Sequence, residues 1–565
     1  MNNKTVFYVL IIFFVAFSAL VGSSYFKSSS EKSLSKSTTT NNFAEPIIGL
    51  YNRKNKITEI EKLDFQHFII NLFENTDDKE IQQALTNLAH NKPNLVTIKT
   101  LNFNKENVLQ RFVAGNFDAK IKIICSSLAG TEQPVYLRWN PEMEVPVTIY
   151  PWQYQSSALY AEAFRRFSKL AKQFSPKAKI VWGAAGYPGA EEYWPGNDAV
   201  DLISVTIDSR SELEAKGYPR SKDIAVSLKR KIHRMRFMDK PILILGAADT
   251  STNTLARKSL PTVFKEFERE QTTIYSTTIS ESPLAKPFIN RTTKPIIGVY
   301  DPKRLLLTAK PVKLEHLFID LGNIENGYLL KEFTAMTARK HDVILTVEPW
   351  RDKNYTEDDN VLLNTSRGKY DDVFKKLYSI LGTTNQTVYL RFAHEMEIPI
   401  ERYAWQSQDP IAYIKAFRHF MQLIPNNLHN IKRIWGPAGD RGAVEWWPGG
   451  DVVDYVSMAI YGLPDKNITD PTKQESFSTI YARKHHRLYF THKPIFITEF
   501  GVKGPEDLQM KWLDDAANVI NKHQEIVGAC YFNLADNPKA WGKIPAPDWS
   551  INKSTFISFT EKLLP

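Results

Sequence analysis

The sequence predicts an α/β protein of two tandem (β/α)8 barrels, the TIM-barrel architecture, behind an N-terminal apolar segment. Three observations lead there. The chain repeats itself once, the second copy alternates eight short β-branched runs with helical stretches, and two of those runs lead into a glutamate.

PIIGLY at residue 46 returns as PIIGVY at residue 295, and HFIINL at 67 returns as HLFIDL at 316, both 249 positions on. YLRW around Arg138, with EME after it, returns as YLRF with EME around Arg391, 253 positions on. The same 253 links Trp182 to Trp435, the WPG at Trp194 to that at Trp447, and Lys240-Pro241 to Lys493-Pro494. Four residues are therefore inserted in the second copy, ahead of GKYD at residue 368. At 565 residues the chain exceeds one ordinary domain. The repeat divides it into homologous domains at 45–289 and 290–565.

Ahead of the repeat, residues 5–22 are uncharged and apolar, just long enough to span a bilayer and also compatible with a signal-peptide core. Residues 1–22 are expected to be a membrane anchor, with a cleaved signal peptide as the alternative. Either one carries the rest of the chain out of the cytoplasm, to the periplasm or cell surface, or into the medium. Residues 23–44, rich in Ser, Thr, Asn and Lys, read as a flexible linker.

In the second copy, strands are expected at 295–300, 316–321, 342–348, 387–394, 431–435, 454–461, 494–498 and 527–533. Each run has the length and the β-branched and aromatic content of a buried strand. Helical patterns fall between them, for example at 326–340, 410–423, 477–490 and 506–523. Pro410 and Glu506 suit first helical turns. Eight strands alternating with helices over about 270 residues are the pattern of one barrel.

Composition excludes several classes. Hydrophobic content of 43% with 24% charged residues rules out wholesale disorder. The net charge of +10 is spread along the chain without a basic block, so nucleic acid is not an expected partner. Cys125 and Cys530 lie in different halves and make neither a metal spacing nor a disulfide framework. No cofactor or metal is expected. The 12 Trp fit either large aromatic cores or platforms for sugar rings.

The chemistry gathers at RFAHEME, residues 391–397, and ITEFG, residues 497–501. Glu395 is expected at the C-terminal end of the fourth strand and Glu499 at that of the seventh, where barrel enzymes assemble acid–base or acid–nucleophile pairs. Opposite sides of a barrel mouth can hold two carboxyls about 5–5.5 Å apart, the separation of a retaining glycosidase. One must stay ionised while the other keeps its proton until it meets the leaving oxygen. Arg391, four residues before Glu395, faces the same side of the strand and suits a carboxylate across the mouth. His394 turns into the site if the strand end twists.

The second copy resembles glycoside hydrolase family 26, a clan of retaining β-glycanases on (β/α)8 barrels. The resemblance rests on GKYD at 368, RFAHEM at 391, YAWQ at 403, WWPGGDVVDYV at 446, Tyr461 and ITEFG at 497. It implies Glu395 as general acid/base, Glu499 as nucleophile, His394 beside the acid and Tyr461 bonded to the nucleophile. It also implies a β-linked polysaccharide as substrate. The family's mannanases continue HEM with Asn-Gly and an aromatic, whereas this chain reads Glu397-Ile398 and Ile400. The sugar therefore stays open among mannan, β-glucan and exopolysaccharide. Glu348 is a third carboxyl near the mouth. Trp350, Trp405, Trp435 and Trp447 are candidates for stacking on sugar or for the core. The alternative is a non-catalytic polysaccharide-binding or export accessory protein, working beside a polysaccharide synthase or export machinery.

The first copy is expected to be catalytically silent. Its counterpart of Glu499 is Gly246, of His394 Pro141, and of Tyr461 Asp208. Glu142, Arg138, Trp152, Trp182 and Trp194 remain. One carboxylate cannot run a two-step displacement, and Asp249 is expected past the barrel rim.

Overall fold

The computed structural model describes residues 46–564 except 52–64, 103–106, 209, 216–222, 271–276, 284–290, 352–357, 400–402, 407, 463–474 and 539–544. The expected anchor and linker, residues 1–44, lie outside the described residues. No helix among the described residues is long and apolar enough to cross a membrane.

The first domain is built on β1 (Ile47–Tyr51), β2 (Gln66–Phe73), β3 (Asn94–Leu101), β4 (Val135–Trp139), β5 (Lys179–Gly183), β6 (Leu202–Thr206) and β7 (Ile242–Leu245). They form a seven-stranded sheet in the order β1-β7-β6-β5-β4-β3-β2. This corrects the expectation of a second closed barrel. β2 to β7 run parallel as the repeat requires, but β1 crosses over and pairs antiparallel with β7, Ile47 opposite Leu245 and Tyr51 opposite Ile242.

By the repeat an eighth strand is expected at residues 273–279, of which 273–276 lie outside the described residues. They read TIYSTTI, where the second copy reads IVGACYF. A parallel strand buried on both faces favours a continuous apolar run, and this stretch is richer in Thr and Ser than its counterpart. The described residues from 277 onward contact the second domain. Thr277 Oγ1 accepts from Trp447 Nε1 at 2.8 Å, and the Glu281 carbonyl accepts from Tyr489 OH at 2.8 Å.

The second domain contains β8 (Ile296–Tyr300), β9 (Leu314–Asp320), β10 (Asp342–Glu348), β11 (Val388–Phe392), β12 (Ile431–Trp435), β13 (Tyr455–Gly462), β14 (Ile495–Val502) and β15 (Ile526–Phe532). These close into an eight-stranded parallel barrel, β15 pairing with β8 and β8 with β9. Every expected strand is present, shifted by a few residues at its ends. Leu314, Ile344, Tyr389, Ile434, Phe496 and Cys530, packed with Ile296 and Tyr455, put one residue from each strand into an apolar interior layer. That layer floors the barrel, so polar side chains nearer the C-terminal strand ends stand on packed hydrocarbon.

Helices cover the outside as the sequence pattern requires. Helix Pro410–Gln422 starts with its proline in the first turn, and the Asp409 carboxylate accepts from the Ile411 amide at 2.9 Å. Helix Glu506–Lys522 opens with two acidic residues at its positive end.

Candidate active site

Arg391 organises the mouth of the barrel. It lies on β11 level with Thr346 of β10 and is 1% exposed. Its guanidinium donates from Nε to Thr346 Oγ1 at 2.8 Å, from Nη1 to Thr498 Oγ1 at 2.9 Å and from Nη2 to Glu499 Oε1 at 2.5 Å. Its planar face lies over the Phe318 ring, 5.6 Å from the centroid. A buried cation is tolerable only when paired and hydrogen-bonded in this way.

Thr498 and Glu499 are consecutive, and strict strand alternation would send them to opposite faces. β14 breaks that alternation. From Phe496 to Glu499 it uses three residues where β13 uses two, Ser457 to Ala459, and from Ile497 to Phe500 it again uses three against two on β15. The extra residue is a bulge, which turns both side chains to Arg391.

The other oxygen of Glu499, Oε2, accepts from Tyr461 OH at 2.9 Å. Tyr461 comes from β13, and its ring packs against Trp549 with centroids 4.7 Å apart. Glu499 is thus 6% exposed with a donor on each oxygen, a cation on one side and a phenol on the other.

Glu395 lies three residues past the end of β11 rather than on it, which corrects the strand expected at 387–394. Its backbone is left-handed, φ 54°, and its amide donates to the Gly436 carbonyl at 2.8 Å. Burial pushes the Glu395 carboxyl up to about 8, with the negative charge of Glu499 adding to the rise and Arg391 partly offsetting it. A carboxyl that keeps its proton near neutral pH is what a general acid requires.

His394 is 3% exposed, its ring 5.7 Å from that of Phe318 and 5.5 Å from that of Tyr403. Its carbonyl accepts from Trp405 Nε1 at 2.8 Å. Glu348, the last residue of β10, accepts from Trp350 Nε1 at 3.1 Å, and both are half-buried. Trp405, Trp435 and Trp447 are fully enclosed. This overturns their candidacy as sugar platforms, because no ring face is left for a ligand. Trp405 stacks on Tyr403 at 4.5 Å, and Trp435 meets Trp447 edge to face at 5.0 Å. Trp350 keeps partial exposure and remains a candidate for contact with sugar.

Thr346, Thr498 and Glu397 belong to the site's support, and sequence reasoning did not single them out. Glu397 is 2% exposed, and its Oε1 accepts from the amides of Gly439 and Asp440 at 2.9 and 3.0 Å. Glu144 does the same in the first domain, accepting from the amides of Ala185 and Tyr187 at 2.8 and 3.0 Å. The EME shared by both copies was the available signal.

The first domain keeps the frame without the chemistry. Arg138 lies level with Thr97, as Arg391 does with Thr346, but its Nε and Nη2 are buried without a hydrogen-bond partner. Gly246 stands where the second domain has Glu499. A Cβ there would run into Asn253 and lie 2.9 Å from Ile48 Cγ2, so β1 and the following helix fill the vacated space. Glu142 accepts from Thr206 Oγ1 at 3.3 Å. Asp249 accepts from the Thr252 amide at 2.7 Å and from Ser251 Oγ at 2.6 Å, so it serves the head of helix Thr250–Glu270. Trp152, Trp182 and Trp194 are fully enclosed in the core.

No family model matches the chain. Over 168 residues it is 28% identical to the beta-1,3-xylanase TXYA of a Vibrio species, a match covering 28% of this chain and 33% of that protein. A beta-1,3-xylanase of an Alcaligenes species is 27% identical over 169 residues, covering 29% of this chain and 33% of that protein. The chain thus spans about a third of the length of the curated relatives it matches. Among solved structures, GH26C from a Muricauda species aligns with a TM-score of 0.37 and 12% identity over 47% of this chain and 85% of that one. An endo-1,4-beta-mannanase from Rhizomucor miehei aligns with a TM-score of 0.32 and 13% identity over 49% of this chain and 97% of that one.

Proposed function

We propose that the second domain is a retaining endo-β-glycanase acting on a β-linked polysaccharide outside the cytoplasm. The observation that carries this is the contrast between the two carboxyls. Glu499 is held by Arg391 and Tyr461 on its separate oxygens, while burial and Glu499 itself keep the Glu395 proton in place to about 8. In this scheme Glu499 attacks the anomeric carbon as Glu395 protonates the departing glycosidic oxygen, and a glycosyl ester forms on Glu499. Glu395, now ionised, takes a proton from water. The water oxygen attacks the anomeric carbon and frees Glu499.

The substrate is tested by reducing-end release from a panel of mannans, β-glucans and xylans, β-1,3-xylan included because of the two relatives named above. Retention is tested by the anomeric configuration of the first product. No release from any member would leave glycan binding without turnover, the competing assignment. For location, the chain is expected in the membrane fraction, accessible to protease added outside the cytoplasm.

Two expected outcomes follow from the site. Because Glu395 must be protonated to act and its carboxyl is pushed up to about 8, kcat/KM on polysaccharide should hold below that pH and fall as pH rises through it. A profile still flat well above that value would exclude Glu395 as the acid. Tyr461→Phe removes one donor to the Glu499 carboxylate. A hydrogen bond to a charged group contributes about 1.5–3 kcal/mol, so the rate should fall roughly 10- to 100-fold with the fold intact. Unchanged turnover would mean that the phenol does not serve the nucleophile.

A further inference from the structure

The two domains meet through equivalent surfaces. Glu445 of the second domain is 1% exposed and accepts from Arg230 Nη2 and Arg234 Nε of the first, each at 2.9 Å. Its carbonyl accepts from His233 Nε2 at 2.6 Å. In the opposite direction, Glu192 of the first domain accepts from Arg487 Nε of the second at 3.2 Å, and its carbonyl accepts from His486 Nε2 at 3.0 Å. Glu192 and Glu445, His233 and His486, and Arg234 and Arg487 are each 253 positions apart. The Arg234 and His233 contacts from one copy are answered by Arg487 and His486 from the other, the isologous pattern of a two-fold dimer, here joined in one chain.

Arg441 breaks the symmetry. Arg441, whose repeat counterpart is Pro188, reaches into the first domain and donates to the Glu144 carbonyl. It also lies 3.7 Å from the Glu192 carboxylate and covers the Tyr154 ring at 5.0 Å. Gly189 makes room for it, since a Cβ there would lie 2.6 Å from Arg441 Cγ.

Arg441 and Glu445 sit on the loop that follows β12, and the start of that loop touches the acid/base. The Gly436 carbonyl takes the Glu395 amide, and the Gly439 and Asp440 amides take the Glu397 carboxylate two residues on. Lys484 holds the same loop through the Ala438 carbonyl at 2.7 Å, from the helix that also sends His486 and Arg487 to the first domain. Glu395 has a left-handed backbone. A non-glycine residue in that conformation costs about 1–3 kcal/mol and persists only where its surroundings over-determine it. The loop supplies that constraint, and the first domain braces the loop from behind.

We propose that the first domain is a positioning module for the acid/base, acting through Arg441 and Glu445 on loop 436–447 and so on Glu395. This rests on the glycanase assignment above. Arg441 and Glu445 are positioning residues and touch no substrate.

The test uses the full-length chain carrying Arg441→Met, and separately Glu445→Gln, which keeps the shape of the side chain. The substrates are the polysaccharide identified by the panel and a dinitrophenyl glycoside of its shortest oligosaccharide product. A displaced acid loses rate only where the leaving group needs protonation. On polysaccharide, kcat/KM should fall about 10- to 100-fold, while on the activated glycoside it stays near wild type. Arg441→Lys should recover part of the loss. Partial unfolding or a purely structural role would lower both substrates together, and that outcome overturns the proposal. So does undiminished hydrolysis of polysaccharide by both variants. A wild-type chain inactive on both substrates fails one step earlier, at the glycanase assignment itself.

Discussion

Glu499→Gln is expected to abolish turnover on every substrate, while Glu395→Gln abolishes it selectively. Without the Glu499 carboxylate no glycosyl ester can form, whatever the leaving group. Without the Glu395 proton, glycosidic bonds with poor leaving groups lose about 10²- to 10⁴-fold. A dinitrophenyl glycoside needs no protonation, so its kcat/KM should stay near wild type. Its kcat should fall as the glycosyl-enzyme accumulates for want of a base, and added azide should relieve that step. Amide replacement preserves size, so both variants should melt close to wild type. The double variant also reports on the first domain. With Gly246 in place of a nucleophile, no residual hydrolysis should remain. Near wild-type rates for either single variant on polysaccharide would refute the site, and hydrolysis by the double variant would refute the silence of the first domain.

The second large effect compares one substitution at two repeat-related positions. Arg391→Met strips the buried Glu499 carboxylate of its cation and leaves Thr346 and Thr498 without their donor. Removing one member of a buried, hydrogen-bonded pair costs about 3–5 kcal/mol, and turnover should disappear with it. Arg138→Met does the reverse. The first domain has already lost the carboxylate, and the guanidinium carries two buried, unpartnered nitrogens. Replacing such a group by hydrocarbon of similar volume should leave stability unchanged or raise it by about 1–4 kcal/mol, without affecting turnover. Denaturant melts of both variants check this. Equal destabilisation at the two positions would show that Arg138 has found another partner.

Much of the second domain is legible because periodicity reports burial. Val388 to Phe392 and Ile495 to Ile497 read as strands since each is a short apolar run, and both are found there. Arg391 was expected to face a carboxylate across the mouth by period-two reasoning, and the structure brings it to Glu499. The same reasoning could not place Thr498 and Glu499 together. A bulge is a mismatch between neighbouring strands, and no single strand's pattern records it. Nor could it show that Glu395 leaves the strand in a left-handed turn, because that conformation is enforced by Gly436, forty-one residues away in sequence. Trp435 and Trp447 look the same in sequence whether they face sugar or core; only their mutual packing decided the matter.

The sequence by itself determined the repeat, the eight strands of the second domain, the two glutamates and the loss of the nucleophile at Gly246. These are properties of residue type and local spacing, which survive without knowledge of what lies alongside. Tertiary structure alone decided that the first domain opens into a seven-stranded sheet and that the two copies face each other about a shared set of ion pairs. β1 pairs antiparallel with β7, and among the described residues no strand stands between them. Pairing of distant segments depends on which partner buries more and leaves fewer polar groups unmet. That comparison exists only once the chain has come together.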